Sequence, residues 1–215
     1  TCVAPDYVFV HKNKKSEFIE YCKKYKEQFV SEKPLEYKDY PKMINQRQFN
    51  RIVEIIQQSD VIFGGKYDEK TLKIEPTLVD NKSFDSKAME DEIFGPVLPI
   101  IEFENIEEPI NYINNNHKPL ALYLFTNNKN LQNKILKEVA FGGGCINDTI
   151  IHLATTKMGF GGVGYSGMGE YHGKFSFQTF SHYKSIVKKS TLIDLPMRYH
   201  PYKKFNDSLI KFFMK

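Results

Sequence analysis

Between residues 7 and 146 the chain switches repeatedly between two hydrophobic periods, and no other feature constrains its fold as tightly. Short β-branched or aromatic runs stand at residues 7–10, 60–63, 97–103, 120–125 and 145–146. Between them apolar residues recur at helical spacing: Phe18, Cys22, Tyr25 and Phe29, then Phe49, Ile52, Val53 and Ile56, then Ile106, Ile110 and Ile113, and last Leu131, Ile135 and Val139. Short β-rich runs suit strands, and a spacing of three or four places one stripe on a helix. Their alternation predicts an α/β fold with a largely parallel sheet flanked by helices. Local signals agree. Glu108 lies three residues after Asn105, as in a capping box, and Asn127 or Asn128 can cap the next helix. Gly64-Gly65 ends a strand, and Gly142-Gly143-Gly144 reads as the stop of the last helix.

Composition narrows the class. The formal charge is +4 from 30 basic and 26 acidic residues, which is a mixed, solvated surface with no call for nucleic acid. The nine lysines between residues 11 and 42 are offset by six acidic residues and read as a solvated face. Cys2, Cys22 and Cys145 are too few for a disulfide framework, so a reducing, cytoplasmic setting is expected. The histidines at 11, 117, 152, 172, 182 and 200 show no metal-ligand spacing. No apolar run reaches the roughly 18 residues of a membrane span.

Seven of the 13 glycines fall between Gly159 and Gly173. Gly162, Gly164 and Gly167 match G-x-G-x-x-G, yet that fingerprint needs a preceding strand, a following helix and a distal acid. None is evident, so the stretch reads as a structural loop shaping a pocket. Beyond it Phe175, Phe177 and Thr179 alternate with Ser176, Gln178 and Phe180, predicting an extended arm over residues 174–190. The tail from 191 to 215 carries Phe205, Leu209, Phe212 and Phe213 at helical spacing, a helix expected to cover a groove rather than meet a membrane. Composition and spacing lead no further than an α/β domain of unstated chemistry.

Three stretches go further: Thr1-Cys2-Val3-Ala4-Pro5-Asp6-Tyr7, Glu92-Ile93-Phe94-Gly95-Pro96-Val97-Leu98-Pro99, and Phe160-Gly161-Gly162-Val163-Gly164-Tyr165-Ser166-Gly167-Met168-Gly169. With Lys118-Pro119-Leu120-Ala121-Leu122-Tyr123, Tyr171-His172-Gly173-Lys174 and Phe180-Ser181-His182 in the same order, the chain resembles the aldehyde dehydrogenase superfamily, in particular its class 3 branch for fatty and aromatic aldehydes. It departs from the family at Tyr165, usually Asn, and at Glu170, usually a small residue.

The resemblance implies Cys2 as the nucleophile that attacks the aldehyde, forming a thiohemiacetal and, after hydride transfer to NAD or NADP, a thioester. Its own backbone N–H would face the oxyanion. Glu92 would accept hydrogen bonds from the ribose on the nicotinamide side, and Phe94 would pack beside that ring. His152 and Phe160 would line the substrate funnel. The resemblance further implies that residues 1–173 form the catalytic domain and that the 174–190 arm pairs chains into a homodimer. Family members are about twice this length. The resemblance makes the chain their C-terminal catalytic half, lacking the N-terminal dinucleotide-binding half and expected to be inactive alone. The alternatives are a non-catalytic oligomerisation or interaction fragment and a cofactor-free thiol esterase.

Overall fold

The computed structural model describes residues 1–195, 198–201 and 204–213. The chain divides into two units, residues 1–180 and 181–215. In the first, β1 (Val8–His11) leads into α1 (Lys15–Val30) and α2 (Gln46–Gln57), followed by β2 (Asp60–Phe63). A short hairpin, β3 (Tyr67–Asp68) and β4 (Lys73–Ile74), precedes β5 (Thr77–Asp80) and β6 (Val97–Phe103). Then come α3 (Glu107–Asn115), β7 (Ala121–Leu124), α4 (Lys129–Glu138), β8 (Gly143–Ile146) and α5 (Gly173–Thr179).

Four strands form one sheet in the order β1-β6-β5-β2. β6 runs parallel to β1, with Val8 opposite Ile100, and parallel to β5, with Thr77 opposite Val97. β2 joins antiparallel at the edge, Asp60 opposite Asp80, with a register shift between Val61 and Phe63. The sheet is therefore mixed, with two of its three pairings parallel as expected and the β2 edge antiparallel. An edge strand needs no crossover helix on its outer side, so it is free to run against its neighbour. The run at 60–63 does form a strand, but Asp60 and Val61 in it are exposed at the sheet's edge.

The two central strands send alternate residues to opposite faces. Val79 and Val97 meet Phe49, Ile52, Ile55 and Ile56 of α2, together with Ile74 and Ile93. Leu78 and Ile100 meet Val10 and the α1 residues Phe18, Ile19 and Cys22 on the other face. Fully burying an aliphatic or aromatic side chain of this size stabilises by about 1.5–3 kcal/mol, so these two layers hold the unit together. Asn45 caps α2 by accepting the Gln48 amide at 3.0 Å.

β7 and β8 pair in parallel, Tyr123 opposite Cys145. α3 and α4 cover them with Ile110, Ile135 and Val139. The Glu108 carboxylate accepts the Asn105 amide at 2.7 Å, one half of the capping box read from the spacing, while the Asn105 side chain accepts the Glu107 amide at 3.1 Å in place of that of Glu108. Asn128 caps α4 through the amides of Asn130 and Leu131. The glycines 142–144 are not a helix stop. Gly143 and Gly144 belong to β8, and a Cβ on Gly144 would run into the Leu122 carbonyl of β7, so glycine permits the close pairing.

The strand expected over 174–190 is absent. Residues 173–179 form α5, where the His172 amide donates to Ser176 Oγ at 2.8 Å and Thr179 Oγ1 donates to the Glu170 carbonyl at 2.6 Å. Such local bonds favour a helical turn. A strand also needs a neighbour for its N–H and C=O groups, and residues 181–190 pair with none among the described residues. In the second unit Asp194 gathers Lys189 (2.6 Å) and the Tyr199 hydroxyl (2.9 Å) ahead of α6 (Lys204–Phe213). That helix matches the apolar spacing in the tail, although the side chains of Phe205, Leu209 and Phe213 lie outside the described residues. No helix among the described residues is long and apolar enough to cross a membrane.

Candidate active site

Residues 1–6 make a tight turn ahead of β1. The Ala4 amide donates to the Thr1 carbonyl at 3.0 Å and the Val3 amide to Thr1 Oγ1 at 3.3 Å. Val3 is buried, and its carbonyl accepts the Tyr123 hydroxyl at 2.7 Å. The turn is thereby pinned to β7, while Cys2 at its apex stays exposed.

Asp6 ties the same turn to the loop before β6. Its carboxylate accepts the Ile93 amide at 2.8 Å. From α2 the Arg51 guanidinium donates to the carbonyls of Glu92 (3.3 Å) and Ile93 (2.5 Å), and its Nε to Gln48 (2.8 Å). Ile93 is sunk in the core beside Phe49 and Ile52. Its neighbours Glu92 and Phe94 are therefore held outward, Phe94 at φ +48° and 58% exposed. A cavity of about 360 Å³ lies here, lined by Thr1, Pro5, Lys42, Glu92, Phe94 and Pro96 among others. Cys2 is not among its lining residues, whereas Thr1 and Ala4 on either side are. An exposed thiol thus stands beside a cleft whose wall carries the Glu92 carboxylate and the bare Phe94 ring, together with Asp6, Tyr40 and Lys42.

Burial raises the Asp6 carboxyl above its usual range. The Ile93 amide opposes this, Glu92 adds to it and Arg51 opposes it. Asp6→Asn keeps an acceptor for the Ile93 amide and removes the charge. Because the folded group binds its proton more tightly than the unfolded one, ionised Asp6 costs stability, and that cost enters as pH rises through the raised value. The variant is expected to match the parent near pH 3 and to unfold at a higher temperature near pH 7. A lower midpoint near pH 7 would mean that the attraction to Arg51 outweighs burial.

His152 and Phe160 lie together on the Tyr123 side. The His152 ring is 5.9 Å from Tyr123 and 6.1 Å from Phe160. Phe160 and Tyr171 exchange backbone hydrogen bonds at 2.9 Å, closing the base of the glycine loop. His152 Nδ1 stands 3.5 Å from Cys145 Sγ, and burial lowers the imidazole's proton affinity. In the loop itself, the Val163 amide donates to Ser166 Oγ (3.0 Å) and the Ser166 and Gly167 amides to the Val163 and Gly164 carbonyls (both 3.3 Å). The Val163, Ser166 and Gly167 amides are thereby tied up within the loop and are not available to a pyrophosphate.

The fold thus gathers Cys2, Glu92 and Phe94 by way of Asp6 and Arg51, and joins the Cys2 turn to the strand beside His152 and Phe160 by way of Tyr123. Asp6, Arg51, Tyr123 and Cys145 were not singled out by sequence reasoning. Tyr123 had a readable signal, a lone phenol in an apolar strand, whose hydroxyl must find a partner once buried. Arg51 had none, since its partners are carbonyls 41 and 42 residues away.

Residues 1–186 match the aldehyde dehydrogenase family. The chain is similar to the 4,4'-diaponeurosporen-aldehyde dehydrogenase of Staphylococcus aureus, 44% identical over 205 residues that cover 94% of this chain and 45% of that protein. It is 40% identical to aldehyde dehydrogenase family 3 member A2 of Rattus norvegicus over 216 residues, 100% of this chain and 45% of that one. Its fold is similar to the substrate-bound structure of Staphylococcus aureus AldH, with a TM-score of 0.89 at 42% identity, covering 100% of this chain and 47% of that one. The chain spans a little under half the length of these relatives.

Proposed function

Because the chain belongs to the aldehyde dehydrogenase family, we propose that it supplies the nucleophile-bearing part of an enzyme that oxidises aldehydes to carboxylic acids with NAD or NADP. The observation that carries this reading is the hydrogen bond from the Ile93 amide to Asp6, which brings the Cys2 turn and the Glu92–Phe94 loop to one cleft. The lining suits the nicotinamide-ribose end of such a cofactor, because Glu92 offers acceptors for hydroxyls and Phe94 a free aromatic face. In the glycine loop the Val163, Ser166 and Gly167 amides are already bonded to neighbours within the loop.

In this reading the Cys2 thiolate attacks the aldehyde carbon, the sulfur–carbon bond forms, and the carbonyl pair moves to oxygen, where the Cys2 backbone N–H faces it. A nicotinamide held in the cleft by Glu92 and Phe94 would supply the hydride acceptor by which the Cys2 adduct becomes a thioester. Water then releases the carboxylic acid and returns the Cys2 thiol. Glu92 and Phe94 orient the cofactor, and His152 and Phe160 line the approach of the aldehyde. Tyr123 keeps the nucleophile's turn in place through the Val3 carbonyl.

The 215-residue chain, incubated with NAD or NADP and a fatty or aromatic aldehyde, is expected to reduce neither cofactor. Mixed with a separately produced dinucleotide-binding portion of a relative, it is expected to gain activity. Saturable reduction by the chain alone would overturn its dependence on that portion, and failure of every folded mixture to turn over would overturn the catalytic reading.

A further inference from the structure

We infer that Cys145 and His152 form a second thiol site, distinct from Cys2, that captures soft carbon electrophiles of the α,β-unsaturated carbonyl class. The fold builds the pair. β8 sets Cys145 opposite Tyr123, and a single 3-10 turn over Ile151–Leu153 brings His152 back to the strand, its Nδ1 3.5 Å from Cys145 Sγ. The imidazole is buried, 8% exposed, while Cys145 is only half-buried. The ring lies over Gly143, where an added Cβ would come within 3.1 Å of its Cδ2.

The second observation is His152 Nε2, a buried nitrogen with no hydrogen-bond partner among the described residues. Burial of such an atom without a partner is costly and calls for a reason. The contact that the fold does give this imidazole is the one between its other nitrogen and a sulfur. With Nε2 carrying the ring proton, Nδ1 offers its lone pair to the thiol. Burial disfavours the imidazolium, so the ring rests neutral with Nδ1 unprotonated and holds the thiol proton only in passing. The rings of Tyr123 and Phe160, at 5.9 and 6.1 Å, give the pair an aromatic wall suited to a planar enal.

The addition balances without an oxidant. Sγ bonds to the β-carbon of the enal as the thiol proton passes to Nδ1. The alkene pair shifts toward the carbonyl as an enolate, and the imidazolium returns the proton to the α-carbon. Thiol and alkene are consumed and one thioether is formed. This chemistry needs neither Cys2 nor a nicotinamide, so it stands or falls apart from the dehydrogenase reading.

The test is alkylation of the 215-residue chain with limiting iodoacetamide or a short enal at neutral pH, with adducts located by peptide mass spectrometry. Cys22 is the internal reference, because burial in the α1 layer raises its thiol. Cys145 is expected to react at least about tenfold faster than Cys22. In His152→Ala the Cys145 rate is expected to fall about tenfold to a hundredfold while that of Cys22 stays put, and added imidazole to restore it. Rescue by free imidazole is a response that a purely structural histidine would not give. His152→Gln, polar but without a basic nitrogen, is expected to be equally slow and carries the comparison if the alanine variant does not melt cooperatively. Equal rates at Cys145 and Cys22, or an undiminished Cys145 rate in the folded position-152 variant, would overturn the proposal.

Discussion

Cys2→Ser is expected to remove aldehyde oxidation from the reconstituted enzyme, by about four orders of magnitude or more, with the fold untouched. A thiolate is accessible near neutral pH and an alkoxide is not, so the exchange removes the group that forms the first covalent bond. The structure explains why stability is spared. The turn around Cys2 is held by the Thr1–Ala4 bond, by the Tyr123 hydroxyl on Val3 and by Asp6 on Ile93, and none of these uses the sulfur. Steady-state turnover of the serine variant beside its thermal unfolding midpoint makes the check. Residual activity above a few per cent would remove Cys2 as nucleophile, and a lowered midpoint would show that the thiol packs after all.

Ile52→Ala is expected to cost about 3 kcal/mol, a fall of roughly 10 °C in the unfolding midpoint. Ile52 is fully buried at the centre of the layer between α2 and the sheet, among Phe49, Ile56, Val79 and Ile93. The loss has a local consequence. The tip of Ile52 sits beneath Gly95, so close that a Cβ there would come within 2.8 Å of its Cδ1. Removing it withdraws the floor of the loop that carries Glu92 and Phe94. Faster hydrogen exchange at the Ile93 amide is expected together with the lower midpoint. A midpoint within about 1 °C of the parent would show that the layer repacks, and the support of this loop would then lie with Arg51 and Asp6.

α2 was legible in the sequence because it buries one stripe, Phe49, Ile52 and Ile56, whereas α1 packs Phe18 and Cys22 of its expected stripe but leaves Tyr25 and Phe29 exposed. The Asn caps of α3 and α4 were legible for a similar reason, since a cap is made by atoms a few residues apart. Residues 66–96 gave no such signal. β3 and β4 have two residues each and β5 has four, too short to display a period, and β5 exists because β2 and β6 on either side satisfy its backbone. The alternation at Phe175, Phe177 and Thr179 misled for the complementary reason. Over five residues a two-residue period is weak evidence, and Ser176 bonded to the His172 amide turned the segment into helix.

The site divides along the same line. The amino-acid order alone marked Cys2, Glu92 and Phe94, and His152 and Phe160, because the stretches around them carry the family resemblance. What the order could not state is that Asp6, with its charge raised in cost by burial, fastens the first of these to the second, or that Arg51 locks the backbone between Glu92 and Phe94. Nor could it pair Cys145 with His152, two residues that share a site only because β8 and the turn after it fold back together. Sequence determines chemistry and local geometry through residue type and short-range spacing. Contacts between residues far apart along the chain, or across a turn, exist only once tertiary structure has met the entropic cost of bringing them together.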